Sequence, residues 1–151
     1  MAIGTDAAID FFGSQSSLDN TSGAVTDGSF SVTGDLNSWT NSDDAPEASM
    51  VFEGTYSTAP DVGSDVLLFA QLLNVESTND APVPDANYPH IYMGRFALDN
   101  VTTAQYITID IDLPNYKTSS VYHFFIKNQA GQTLSAGWDL HPAAKTEGPH
   151  A

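Results

Sequence analysis

The stretch Tyr106-Ile-Thr-Ile-Asp-Ile-Asp-Leu113 constrains the fold more than any other in the chain. Ile107, Ile109, Ile111 and Leu113 fall on one side of an extended backbone and Thr108, Asp110 and Asp112 on the other. A hydrophobic period of two belongs to a strand with one buried face. The rhythm recurs from residue 49 onward. Residues 49–56 set Met50, Phe52 and Tyr56 against Val51, Glu53 and Thr55, and residues 121–127 turn Tyr122, Phe124 and Ile126 inward and His123 outward. Residues 91–98 make a further strand. The Asn128-Gln-Ala-Gly-Gln132 turn reads as a hairpin connection into residues 134–140, where Leu134, Trp138 and Leu140 share a face. Residues 66–75 are apolar on both sides, which fits a central strand covered on each face or a short buried helix.

The first 48 residues carry a weaker pattern. Phe30 and Val32 suggest one strand, and Leu36 and Trp39 another against the same core. Ala7-Ala-Ile-Asp-Phe-Phe12 is a short apolar island followed by turn residues, read as an arm or an edge strand. Residues 77–89 form a long loop whose three prolines restrict its backbone. With no convincing amphipathic helix, the expected fold is all-β: a two-sheet antiparallel sandwich, jelly-roll-like, with an extended N-terminal arm over residues 1–18 and a single sandwich domain over 19–151.

The chain of 151 residues is long enough to bury a core without staples, and it has no cysteine to make one. Its amino terminus lacks the basic and apolar regions of a secretory signal and no apolar run reaches the length of a membrane span, so synthesis in the cytoplasm is expected. The formal net charge is −15, and all four basic residues, Arg95, Lys117, Lys127 and Lys145, lie after position 94. Such a surface repels nucleic acid and anionic membranes, and neither is expected as a partner.

Few residues suggest chemistry. The acidic stretch Asn41-Ser-Asp-Asp-Ala-Pro-Glu47 lacks the glycine and the ligand spacing of a calcium loop, and reads as a solvated turn before a strand. Asp110 and Asp112 lie at i and i+2, roughly 7 Å apart on an extended chain and within the range of a glycosidase acid–base pair, yet their pattern is that of any half-exposed strand. His90, His123, His141 and His150 show no zinc-binding spacing, and no GxSxG, GxGxxG or P-loop is present. We expect no enzyme, no cofactor and no metal. Among the aromatics, Trp39, Tyr88 and Tyr92 are candidates for ligand contact or a subunit interface. Ile3, Ile9, Phe11 and Phe12 are candidate intersubunit contacts, because they are apolar enough to bury while their Gly, Ser and Asp neighbours fix no regular pattern.

Four stretches stand out between Phe52 and Asp139: Leu67-Leu-Phe-Ala, Ser77-Thr-Asn-Asp-Ala-Pro-Val-Pro-Asp, Tyr92-Met-Gly-Arg-Phe and Lys127-Asn-Gln-Ala-Gly-Gln-Thr-Leu-Ser-Ala-Gly-Trp-Asp139. On these the region resembles the small virion proteins of tailed bacteriophages that decorate or cement the capsid. The resemblance implies a jelly-roll or related sandwich, a homotrimer seated on the outer capsid surface, and the major capsid protein and sister copies as partners, with no catalytic residues. The expected function is therefore structural, bridging neighbouring capsid subunits. A carbohydrate-binding or host-adhesion module of the same fold is the alternative.

Overall fold

The computed structural model describes residues 8–88 and 91–149, and these contain eight strands and no helix. The strands are β1 (Ala8–Phe12), β2 (Trp39–Thr40), β3 (Glu47–Gly54), β4 (Asp65–Leu73), β5 (Ile91–Ala97), β6 (Gln105–Asp112), β7 (Val121–Gln129) and β8 (Asp139–Pro149). They form two four-stranded sheets, ordered β1-β8-β3-β6 and β2-β7-β4-β5, in which every neighbouring pair is antiparallel. Apart from the β4–β5 hairpin, each connection crosses from one sheet to the other, which is the winding of a jelly roll. The expected two-sheet sandwich is thus the observed one.

Period-two alternation builds the core as anticipated. Met50 and Phe52 of β3, Leu140 of β8 and Ile111 of β6 face Val66, Leu68, Tyr122, Phe124, Ile126 and Phe96 of the other sheet, all of them buried. The rings of Phe52 and Phe96 meet across the interlayer at 5.4 Å. Gly94 marks a tight spot in this packing: its φ of +154° suits only glycine, and a Cβ there would lie 2.9 Å from Ile109 Cδ1. It sits where the β4–β5 register shifts between Leu68 and Phe69, so the kink and the close approach share one cause. Residues 66–75, ambiguous in sequence, are the central strand β4 between β5 and β7, and not a helix.

Three expectations are corrected. First, the last strand is β8 at Asp139–Pro149, not residues 134–140; Leu134 and Trp138 are fully buried, but only isolated bridges tie Leu134 to Val25 and Tyr56. Pro142 lies in the middle of β8, where a proline cannot donate to a ladder. The carbonyls of Leu140, Pro142 and Ala144 all accept from the passing segment 13–18, through the N–H groups of Leu18, Ser16 and Gly13 at 3.2, 3.0 and 2.8 Å. On that side β8 serves as an acceptor row, and the missing N–H of Pro142 faces no ladder partner.

Second, His123 is not on a solvent face. It is 8% exposed, and its neighbour on the same side, Phe125, is fully buried. Residues 28–31 pair along β7, and the chain then passes Thr33 and Leu36 close to the His123 ring. Residues 77–88 close the same face from the other direction, with the Gln71 side-chain amide donating to the Ala81 carbonyl at 2.7 Å. Of the expected strand at Phe30 and Val32 only a bridge from Phe30 to Lys127 forms, and Val32 is exposed.

Third, residues 8–18 do not project from the sandwich. β1 pairs with β8 over its whole length, residues 13–18 continue along β8, and Leu18 is part of the core. The apolar island is therefore the edge strand of its sheet, and the fold shows no boundary at residue 18.

Candidate functional site

Segments 13–18 and 37–43 bound a cleft of about 540 Å³ at the side of the sandwich where the edge strands β1 and β2 lie. Its shape follows from local chemistry on both sides. The 13–18 segment is held by the carbonyl row of β8 and by Asp139, which accepts from Ser17 Oγ at 2.5 Å and from the Leu18 N–H at 2.9 Å. The opposite wall is set by Asn41. This fully buried amide donates to the Ala45 carbonyl at 2.9 Å and accepts from the Ala45 N–H at 3.1 Å, closing an Asx-type turn around Ser42–Asp44. Asn115 buttresses the turn through Asn41 at 2.9 Å and through the Ala45 carbonyl at 2.7 Å. Asp44, in a left-handed conformation at φ +50°, accepts from the Ser119 N–H at 2.6 Å, which leaves Asp43 as the carboxylate of the cleft. The acidic stretch is thus a turn, as its sequence suggested, but one that delivers a single acid to a cavity.

Trp39 lines the cleft from β2 and is itself 8% exposed. Its ring packs on Tyr122 and Phe124 at centroid distances of 6.0 and 6.2 Å, so most of the indole belongs to the core. Tyr122 beneath it donates to Asn115 Oδ1 at 2.8 Å, and loss of water raises its hydroxyl to a pKa of about 12. Both groups stabilise the wall and neither titrates near neutrality.

The three candidate aromatics do not form one platform. Trp39 is on β2 and Tyr92 on β5, the opposite edges of one sheet and three strand spacings apart, about 14 Å. Tyr92 is half exposed and makes an edge contact with Phe69 at 5.7 Å, while Tyr88 is exposed at the end of segment 77–88. Of the candidate intersubunit contacts, Ile3 lies outside the described residues and Ile9 is half buried. Phe11 and Phe12 are 52% and 59% exposed on the outermost strand of their sheet.

Asp110 and Asp112 stand on the open face of β6, the other edge strand of that sheet. Asp110 accepts from Lys145 Nζ at 3.2 Å, and its side chain is 60% exposed. A catalytic carboxylic acid needs an enclosed apolar site, and this flat, cation-bearing surface supplies none. Lys145 also approaches Glu47 and Asp10, at 3.4 and 3.5 Å. Further along the face His141 meets Glu53 at 3.0 Å and Asp139 at 3.5 Å, and Tyr106 donates to Glu53 at 3.2 Å. These pairs tie β1, β3, β6 and β8 together across their outer surface. No group of three or more His, Cys, Asp or Glu able to hold a metal ion occurs among the described residues.

The serines of the cleft were missed in the sequence. Ser14 and Ser16 lie in a turn-rich tract, and Ser38, Ser42 and Asp43 in another some two dozen residues later, with no motif joining them. Only the jelly-roll winding, which stacks the β1 and β2 edges, brings the tracts together. Comparison with protein families, with curated proteins and with solved structures gives no match.

Proposed function

We propose that the protein is a non-enzymatic structural virion protein that decorates the outer surface of a phage capsid, as a homotrimer bridging neighbouring capsid subunits. The observation that carries the reading is the β1 edge. Phe11 and Phe12 occupy adjacent positions of an edge strand, so they point to opposite faces of the sheet, and both leave more than half of their surface in solvent. Beside them the far side of β1 presents backbone groups that no strand among the described residues pairs with. An edge of this kind is a template for association with another chain. Two phenylalanines contribute roughly 1.5–3 kcal/mol each when fully buried, and many copies on one particle multiply the effect. A net charge of −15 agrees with a place outside the shell, away from packaged DNA. The resemblance of residues 52–139 to decoration proteins supplies the class of particle.

The test is the double substitution Phe11→Ser/Phe12→Ser, preferred to deletion of β1 because deletion would also strip the edge of β8. Both side chains are exposed, so near-native circular dichroism is expected. Trimerisation in sedimentation analysis, or attachment to particles lacking the protein, should weaken by about tenfold or more, the factor that ~1.4 kcal/mol produces. Unchanged assembly and unchanged attachment would remove the basis of the proposal.

A further inference from the structure

We infer that the cleft between segments 13–18 and 37–43 is a binding site for a neutral saccharide. The inference does not depend on the virion reading, since it rests on a different part of the surface. A cleft of about 540 Å³ falls within the roughly 300–1,000 Å³ of small-molecule sites, and the chemistry of its wall selects the ligand class. Ser14, Ser16, Ser38, Thr40 and Ser42 line it, and their hydroxyls make no hydrogen bond among the described residues. A hydroxyl both donates and accepts, which matches the dual character of sugar hydroxyl groups. Asp43 adds one acceptor-only carboxylate suited to two neighbouring O–H donors. No Lys or Arg lines the cleft, so an anion has no counter-charge there, and a lone carboxylate among hydroxyls is too few hard ligands for calcium.

The apolar part of the wall completes the match. Trp39, Leu18 and Ala144, each more than nine-tenths buried, add a small apolar patch against which the edge of a pyranose ring would rest. The two tryptophans also differ in a way that bears on ligand binding. Trp138 is fully buried and donates its indole N–H to the Gly23 carbonyl at 2.9 Å. Trp39, more than nine-tenths buried, has an indole N–H with no hydrogen bond among the described residues. That N–H is not cut off from solvent, so an incoming hydroxyl oxygen would replace water on it.

With two tryptophans in the chain, the indole region of a ¹⁵N–¹H correlation spectrum of the full-length protein reads the site directly. D-glucose, D-galactose, D-mannose and N-acetyl-D-glucosamine serve as probes, each titrated to about 50 mM, well above the millimolar affinities expected for one sugar ring. At least one should move the Trp39 indole resonance saturably while that of Trp138 stays in place, Trp39→Phe fixing the assignment. Asp43→Asn should weaken that response about tenfold, as the loss of a charge-assisted pair of hydrogen bonds does. Ser38→Ala/Ser42→Ala should weaken it too, and provides the test if the Asp43 variant fails to fold. Absence of a saturable shift with all four sugars, equal shifts of both indoles, or full binding by the folded variants would overturn the inference.

Discussion

The outer faces of the two sheets begin from the same alternating pattern and end in opposite states. On the β1-β8-β3-β6 sheet the outward residues of the edge strand β6, Tyr106, Thr108, Asp110 and Asp112, are all exposed and those of β3 are half buried; on β8, Lys145 is held among carboxylates, and only Asp139 and Ala143 are buried. On the β2-β7-β4-β5 sheet the outward residues Phe69, Gln71, His123 and Phe125 are buried. What differs is where the connections run. Residues 28–36 and 77–88 both fold over the second sheet, with Phe30 packing on Phe69 at 5.3 Å and Ala81 receiving the Gln71 amide. A strand's pattern therefore states which residues alternate, while distant segments decide whether the outward set meets water. One sheet gains a second apolar layer, and the other is bound laterally by charge pairs.

The largest test of this contrast is a pair of truncations. Phe125→Ala, on the covered face, should cost roughly 3–5 kcal/mol, the range for deleting a buried phenylalanine ring. Thr108→Ala, at an outward position of the bare face, should change stability by no more than about 0.5 kcal/mol. Urea unfolding followed by circular dichroism measures both. Similar costs at the two positions would mean that the covering segments do not seal β7, and the contrast would fail.

The same physics explains what the sequence disclosed. Period two placed β3, β5, β6 and β7 because each has one face against the core, and the double-sided apolar run placed β4. His123 was misplaced because its cover comes from Thr33, Leu36 and the loop carrying Ala81, partners some 40 to 90 residues away that no local pattern announces. The last strand was placed too early because Leu134, Trp138 and Leu140 share a face by period two, while Leu134 and Trp138 are in fact buried from the connection that precedes β8. The cleft was illegible for a related reason. Ser16 and Ser42 are ordinary turn residues until the winding sets their segments opposite each other, whereas Trp39 stood out as an aromatic in a weakly patterned region. Asp43 was noticed only as part of an acidic stretch without calcium-loop spacing, read as a solvated turn, and nothing local set it apart from Asp44. Asp44 in fact faces Ser119.

A second and smaller test uses pH. Burial pushes the His123 imidazole below its ordinary range, against the opposing influence of the Leu36 backbone, Asp80 and the Thr33 backbone, and Nε2 makes no hydrogen bond of normal geometry. The neutral ring is therefore favoured in the folded protein. Because the folded pKa lies below the unfolded one, His123 contributes stability fully above about pH 6.5 and loses it as pH falls toward the folded value. One proton sets a slope of at most ~1.4 kcal/mol per pH unit. Wild type should therefore lose stability between about pH 7 and 5 relative to His123→Phe, whose profile should be flatter over that window. Parallel profiles would show that the ring is hydrated and the outer face of β7 open.

The smallest effect is expected on the bare face, at Lys145. The hydrogen bond to Asp110, together with the charges of Asp10, Asp110 and Glu47, outweighs partial desolvation and holds the ammonium pKa above the usual lysine range. Its stabilising contribution is thus present below the ordinary lysine pKa of about 10.4, as long as the partner carboxylates are ionised, and on the alkaline side is lost as pH rises through the higher folded value. Exposed ion pairs are screened by salt, whereas contacts in a buried layer are not. Lys145→Met keeps most of the aliphatic stem and removes the cation, leaving three carboxylates from β1, β3 and β6 to repel one another over β8. The variant should melt below wild type in dilute buffer, by less than either preceding effect, and the gap should close in about 1 M NaCl, where the screening length falls to ~3 Å. A gap that persists in high salt would mean that the lysine acts through packing of its stem. The bare face would then be held together by the same kind of contact as the covered one, and the electrostatic half of the contrast would be wrong.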